Sequence, residues 1–237
     1  MIKFFICLCL MLFCRHQLLA QDNLSWRETD PYAVAYMDSV SKYAALFSGN
    51  RQAPFLISTT NHRYFIEEEY TKGRLSFCGI VYPDISLRWD LYQDEMMIYS
   101  PNNFNVVLKS EYIDFVEIYG YHIIHLHPDG LSGCPPAGLY IRLYSGEYLL
   151  LEKLNAVLFD KQEYNTISHY FALTKFFYLQ KDGIYFKIKN RRTLLKTLDT
   201  HRKEMKRFIE ANKFKYRHHA EKMVLEVVKE HEKLNRL

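Results

Sequence analysis

Cysteine is scarce where a disulfide framework or thiolate metal site would need it. Of the five, Cys7, Cys9 and Cys14 fall in the first 14 residues, and only Cys78 and Cys134 lie beyond them. No CxxC pair occurs, which argues against a zinc ribbon and a thioredoxin-like redox site. HExxH and GxSxG are also missing, so neither a zinc-protease helix nor a nucleophile elbow is present. The nine glycines are dispersed at turns, and GLSG (130–133) follows no strand–helix junction, so no phosphate-binding loop is formed. Collagenous, low-complexity and disordered signatures are absent as well.

Aromatic and apolar residues are plentiful. The 237 residues are 49% hydrophobic, 16% aromatic and 24% charged, with 19 Tyr and 16 Phe. That length suits one domain or two small ones with a substantial core. Tyrosine at this density suits antiparallel sheet with one wet face, where the ring packs and the hydroxyl stays in water.

The first residues, MIKFFICLCLMLFCRHQLLAQ, read as a targeting segment, 1–20. Lys3 precedes the 11-residue apolar run Phe4–Cys14, and Ala20 is a plausible residue before a cleavage site. The run is well short of the roughly 20 apolar residues that cross a bilayer. A cleaved export signal is therefore expected, with an uncleaved anchor or acylation of Cys14 as alternatives. Export permits a Cys78–Cys134 disulfide; the other reading is one buried strand thiol, Cys78, and one loop thiol, Cys134.

Charge is unevenly placed. Residues 187–237 hold 16 Lys/Arg against 7 Asp/Glu, net +9, while residues 21–186 carry net −7. Outside the cytoplasm a basic tail points away from nucleic acid. Simple solvation of an amphipathic helix is the preferred reading, and acidic envelope polymers, anionic lipid headgroups or the acidic body of the protein are the partners expected otherwise.

A segment 21–50 contains an expected helix over 31–47, capped by Asp30, with Pro31 in its first turn and Gly49 as its stop. Residues 51–189 read as an antiparallel β domain. Strands are expected at 63–70, 73–82, 85–92, 95–100, 105–110, 112–119, 121–127, 138–146, 147–159, 169–180 and 183–189, joined by short turns such as PD, YG and KDG. Residues 190–237 read as a helical hairpin, with helices over 191–212 and 218–235. The fold class is thus α+β: an N-terminal helix, a β meander bent into a sandwich or partly open barrel, and a basic helical hairpin. Charges on the strands, among them Glu67, Glu69, Arg88 and Asp90, speak against an outer-membrane barrel.

Several runs resemble a family of uncharacterised secreted proteins of Bacteroidota. One matches at Gly73, Gly79, Tyr82, Asp84 and Asp90, with Trp89 in an aromatic position. A second matches at Gly138, Tyr140, Gly146, Leu149, Leu150 and, one residue displaced, Lys153. The resemblance implies an exported protein of bacterial envelopes and no particular activity.

The stretch YHIIHLHPDGLSGC is the best candidate for chemistry. Strand alternation puts His125 and His127 on one face with Tyr121 and Ile123, and His122 on the other with Ile124 and Leu126. Two same-face imidazoles form half of a zinc or copper site, and Asp129, Cys134 or a distant residue would have to complete it. Paired carboxylates are the other candidates: Glu67 with Glu69, and Asp90, Asp94 and Glu95 around a hairpin. The preferred reading is a non-enzymatic binding or accessory module that needs no cofactor. The alternative is an exported metal-dependent enzyme or metal-binding protein built on His125 and His127.

Overall fold

The computed structural model describes residues 43–44, 46–100, 103–127, 133–164 and 166–236. Two compact units make up the chain, residues 1–48 and 49–237. The expected signal segment and most of the helix expected over 31–47 lie outside the described residues, as does Asp129. Tyr43, Ala44 and Leu46 are helical.

Among the described residues of the second unit, eleven strands form one open sheet, and three helices follow it. The strands are β1 (Asn50–Arg51), β2 (Thr71–Phe77), β3 (Ile80–Asp90), β4 (Glu95–Tyr99), β5 (Asn105–Val107), β6 (Ile113–Ile118), β7 (Tyr121–Leu126), β8 (Gly138–Ser145), β9 (Leu149–Glu163), β10 (Thr166–Lys181) and β11 (Ile184–Ile188). Their spatial order is β1-β5-β4-β3-β2-β6-β7-β8-β9-β10-β11. Two meanders therefore meet at β2–β6, and all ladders between these strands are antiparallel.

Three hairpins turn on two residues with positive φ: Cys78–Gly79, Tyr119–Gly120 and Asp182–Gly183. This is the turn whose twist matches that of paired strands, and its second residue favours glycine. Asp114 reinforces the first turn, its Oδ2 accepting from Ser76 Oγ at 2.8 Å and from Gly79 N at 2.9 Å. The single strand expected over 73–82 is thus two strands split at Cys78–Gly79. The expected turn at Pro83–Asp84 lies inside β3, where Asp84 at φ 59° accompanies a register shift opposite Gly73/Leu75. Cys78 is correspondingly an exposed turn thiol, not a buried strand residue, and both it and Cys134 are free.

RYFIEEEY (63–70) is not a strand. Ile66 has φ 63°, and Tyr64 makes only an isolated bridge to Asp90. Residues 52–65 instead run as a strap over the sheet. Thr60 N donates to His169 O at 2.9 Å, and Leu91 N to Arg63 O at 3.0 Å. The Asn61 side chain mimics a strand, donating to Phe171 O at 2.8 Å and accepting from Phe171 N at 2.7 Å.

The tail holds three helices, α1 (Arg191–Leu198), α2 (Arg202–Ala211) and α3 (Tyr216–Asn235). The helix expected over 191–212 breaks where Asp199 (φ 66°) and His201 (φ 49°) leave helical backbone. Asn190 caps α1 reciprocally with Thr193. Leu194, Leu195 and Leu198 of α1, Met205 and Ile209 of α2, and Met223, Val224, Val227 and Val228 of α3 share one core with Leu150, Phe177 and Leu179. The apolar stripe of each helix is therefore buried against sheet, and the basic residues are left outside. No helix among the described residues is long and apolar enough to cross a membrane.

Candidate functional site

The end of β7 brings His125 and His127 together as the alternation requires. His125 Nδ1 and His127 Nε2 are 3.3 Å apart, and the ring centroids are 4.5 Å apart. His125 is half-buried beside Leu139 of β8, and His127 is exposed. Burial, then the neighbouring His127, lowers the proton affinity of His125, against the opposing pull of Asp94 and Glu111. His122 points to the other face, its ring stacked on Phe115 and its Nδ1 3.3 Å from Glu117 Oε1. Cys134 packs against the tyrosine cluster of Tyr140, Tyr178 and Tyr185. Among the described residues, no group of three His, Cys, Asp or Glu side chains is placed to hold a metal ion.

A second polar cluster lies beside the histidines. Asp94, at the β3–β4 turn, forms an ion pair with Lys153 of β9, and Lys153 Nζ also donates to Leu139 O at 3.0 Å. The other Asp94 oxygen accepts from Trp89 Nε1 at 3.4 Å. Burial lowers the Lys153 pKa, and Asp94 opposes that shift. The ammonium lies 4.8 Å from the Tyr140 ring centroid, whose hydroxyl donates to Pro136 O at 2.7 Å. Gly138 has φ 144°, and a Cβ there would overlap the Asp94 carboxylate and come within 2.6 Å of Lys153 Nζ. The cluster is closed and its polar atoms are engaged, so its chemistry is that of a structural pin.

The carboxylates singled out as acid/base candidates are dispersed or held. Glu67, Glu68 and Glu69 are exposed on irregular backbone. Asp90 is fully buried, 2.6 Å from Arg63 Nε, although the N–H is poorly aligned on the oxygen. The other Asp90 oxygen accepts from Tyr92 N and Gln93 N. Arg63 also lies over the Phe55 ring at 4.3 Å, and Arg88 is held between the rings of Tyr64 and Tyr70 at 4.1 and 4.3 Å. A polar cleft of about 810 Å³ opens under the strap between Gln52 and Tyr64. It presents no pair of free carboxylates.

Sequence reasoning missed a charged triad around one buried carboxyl on the opposite face of β9. Glu152, 1% exposed, lies 3.0 Å from Lys175 Nζ, which also donates to Glu221 of α3 at 3.0 Å. Burial pushes the Glu152 carboxyl up to about 7 in spite of Lys175. The available signal was EK within LLLEKLNAV: adjacent charges on a strand with both faces covered, each requiring its own counter-charge.

The largest unspent charge is on the helices. A groove of about 510 Å³ is lined by Arg191, Arg192, Leu195, Lys196, Arg202 and Lys206. Arg191 pairs with Glu210 at 2.9 Å and Arg202 with Asp199 at 3.3 Å. Arg192, Lys196 and Lys206 are exposed and form no ion pair among the described residues. Lys196 and Arg202 also line an adjoining groove with Lys181 and Lys187 of the sheet edge.

Comparison of the chain with protein-family models, with curated proteins and with solved structures gives no match in any of the three. The functional reading accordingly rests on geometry and charge.

Proposed function

We propose that this protein is an exported, non-enzymatic module of the cell envelope that docks on anionic lipid headgroups through its basic helices. The observation that carries this reading is the groove between α1 and α2, walled by five cationic side chains over a floor of Leu195. Export, read from the first 20 residues, places phosphate-bearing lipid within reach of such a surface and nucleic acid out of reach. Because Met205 and Ile209 face the protein core, α2 has no apolar stripe to insert into a bilayer. Contact is therefore electrostatic and confined to headgroups. Each cation near an anionic surface contributes about 1 kcal/mol, so Arg192, Lys196 and Lys206 together supply about 3 kcal/mol.

The test is co-sedimentation with phosphatidylglycerol vesicles and with phosphatidylcholine vesicles. Binding is expected only to the anionic lipid and is lost as salt shortens the screening length from about 10 Å at 0.1 M toward about 3 Å at 1 M. The combined substitution Arg192→Glu, Lys196→Glu, Lys206→Glu alters exposed positions only and should abolish it with the fold intact by circular dichroism. Undiminished binding by that variant would overturn the reading.

A further inference from the structure

We propose that His125 and His127 form a two-histidine chelate for a tetrahedral divalent metal ion, zinc being the best fit. The separation between His125 Nδ1 and His127 Nε2 is 3.3 Å. Zinc–imidazole bonds are about 2.0–2.1 Å, and two such ligands at the tetrahedral angle stand about 3.3–3.4 Å apart. The nitrogens match that span, whereas a square-planar ion, with cis ligands at about 90°, would require them closer. The rings meet edge-on with centroids 4.5 Å apart, so a turn of the exposed His127 ring is what aims both lone pairs at one ion.

The charge around the pair does not oppose a cation. Both ligands must be neutral to bind, so binding is a property of neutral pH and above. The charged groups acting on this ring are Asp94, Glu111 and Lys153. Lys153 is neutralised by its ion pair with Asp94, so its charge does not stand alone against the cation. Strand β7 fixes the His125 backbone through its pairing with Leu139. His127 is exposed among the described residues, and two protein nitrogens leave two positions of a tetrahedral ion for water or for a ligand group from another molecule. A site with two protein ligands and two open positions can bridge the protein to a donor group on a partner, and this role is independent of the basic helices.

The experiment is calorimetric titration of the tag-free chain with Zn²⁺ at neutral pH, with Co²⁺ absorption reporting geometry. One equivalent of zinc and an intense tetrahedral Co²⁺ spectrum are expected. His127→Asn, at an exposed position, should weaken zinc by roughly tenfold or more, since even a misoriented ligand costs that much. His125→Gln should do the same, and His122→Ala, on the opposite face, should leave binding unchanged. Absence of stoichiometric zinc overturns the proposal. So does binding that survives His127→Asn, or that is lost instead on changing His218 and His219.

Discussion

Replacing Glu152 by Gln should make the protein more stable at alkaline pH and leave it nearly unchanged near pH 4.5. The carboxyl is 1% exposed, and Lys175, its one close cation among the described residues, is 42% exposed and shared with Glu221. Desolvation therefore acts strongly on Glu152, whose pKa is pushed from 4.5 to about 7, while for Lys175 burial is the largest single effect but is outweighed by the two carboxylates together, so its pKa is raised. Between pH 4.5 and about 7 the folded state holds a proton that the unfolded state has released. Folding takes up that proton, so this group makes stability fall as pH rises through the window. At about 1.4 kcal/mol per pKa unit the full effect is about 3 kcal/mol, complete just above pH 7.

Gln keeps the shape of the protonated acid and cannot ionise. The difference in unfolding free energy, variant minus wild type, should climb from near zero at pH 4.5 to about 3 kcal/mol at pH 8. Urea unfolding at half-unit pH intervals measures it, and the difference removes every other titrating group common to both proteins. A difference that stays constant across the range, or a variant less stable than wild type at pH 8, refutes the assignment of Glu152 as the group bearing the desolvation.

His231 should show the opposite pH behaviour. It is fully buried between Tyr148 Oη at 3.1 Å and Thr200 Oγ1 at 2.9 Å, and burial lowers its pKa. Its contribution is present above the ordinary value of 6.5 and is lost as pH falls through the folded-state pKa. His231→Ala should cost about 3 kcal/mol at pH 8 in chemical denaturation, and less at pH 5. Gly138→Ala, forcing a side chain into the Asp94–Lys153 pair at φ 144°, should destabilise by several kcal/mol, on the order of 3 or more, in the same assay. Cys78, exposed at its turn, should be alkylated in the native protein well before half-buried Cys134, and peptide mass mapping reads each thiol separately.

Much of the architecture was legible. Apolar spacing in MVLEVVKEH placed the buried face of α3 because every residue on it obeys one helical period, and His231 falls on that face with Met223, Val224 and Val227. YG and KDG named two of the hairpins through their glycines, the residue that takes positive φ without strain. CG did not, because cysteine carries no turn preference, and the neighbouring PD drew the turn five residues along. Nor did RYFIEEEY declare itself irregular: Ile66 takes φ 63°, which no local pattern there encodes. Similarly, LDTH looked helical until Asp199 and His201 both took positive φ to aim α2 back at the core.

For the candidate sites, the sequence could say which side chains share a face but not which of them find partners. Asp90, Asp94, Glu152, Lys153 and His231 all look chemically promising in isolation, and all are used up by the fold. Arg63, Lys153, Lys175, Tyr148 and Thr200 come from distant parts of the chain to meet them or their neighbours. A buried charge without such a partner would be costly, and Arg63 faces Asp90, Lys153 faces Asp94 and Lys175 faces Glu152. Among the groups the fold leaves unmatched are two surface sets: the exposed cations Arg192, Lys196 and Lys206, and the adjacent imidazoles of His125 and His127. Neither set is needed to hold the protein together. Substitution there should therefore change what the protein binds while leaving its unfolding curve in place, and that separation distinguishes a binding surface from one more structural pin.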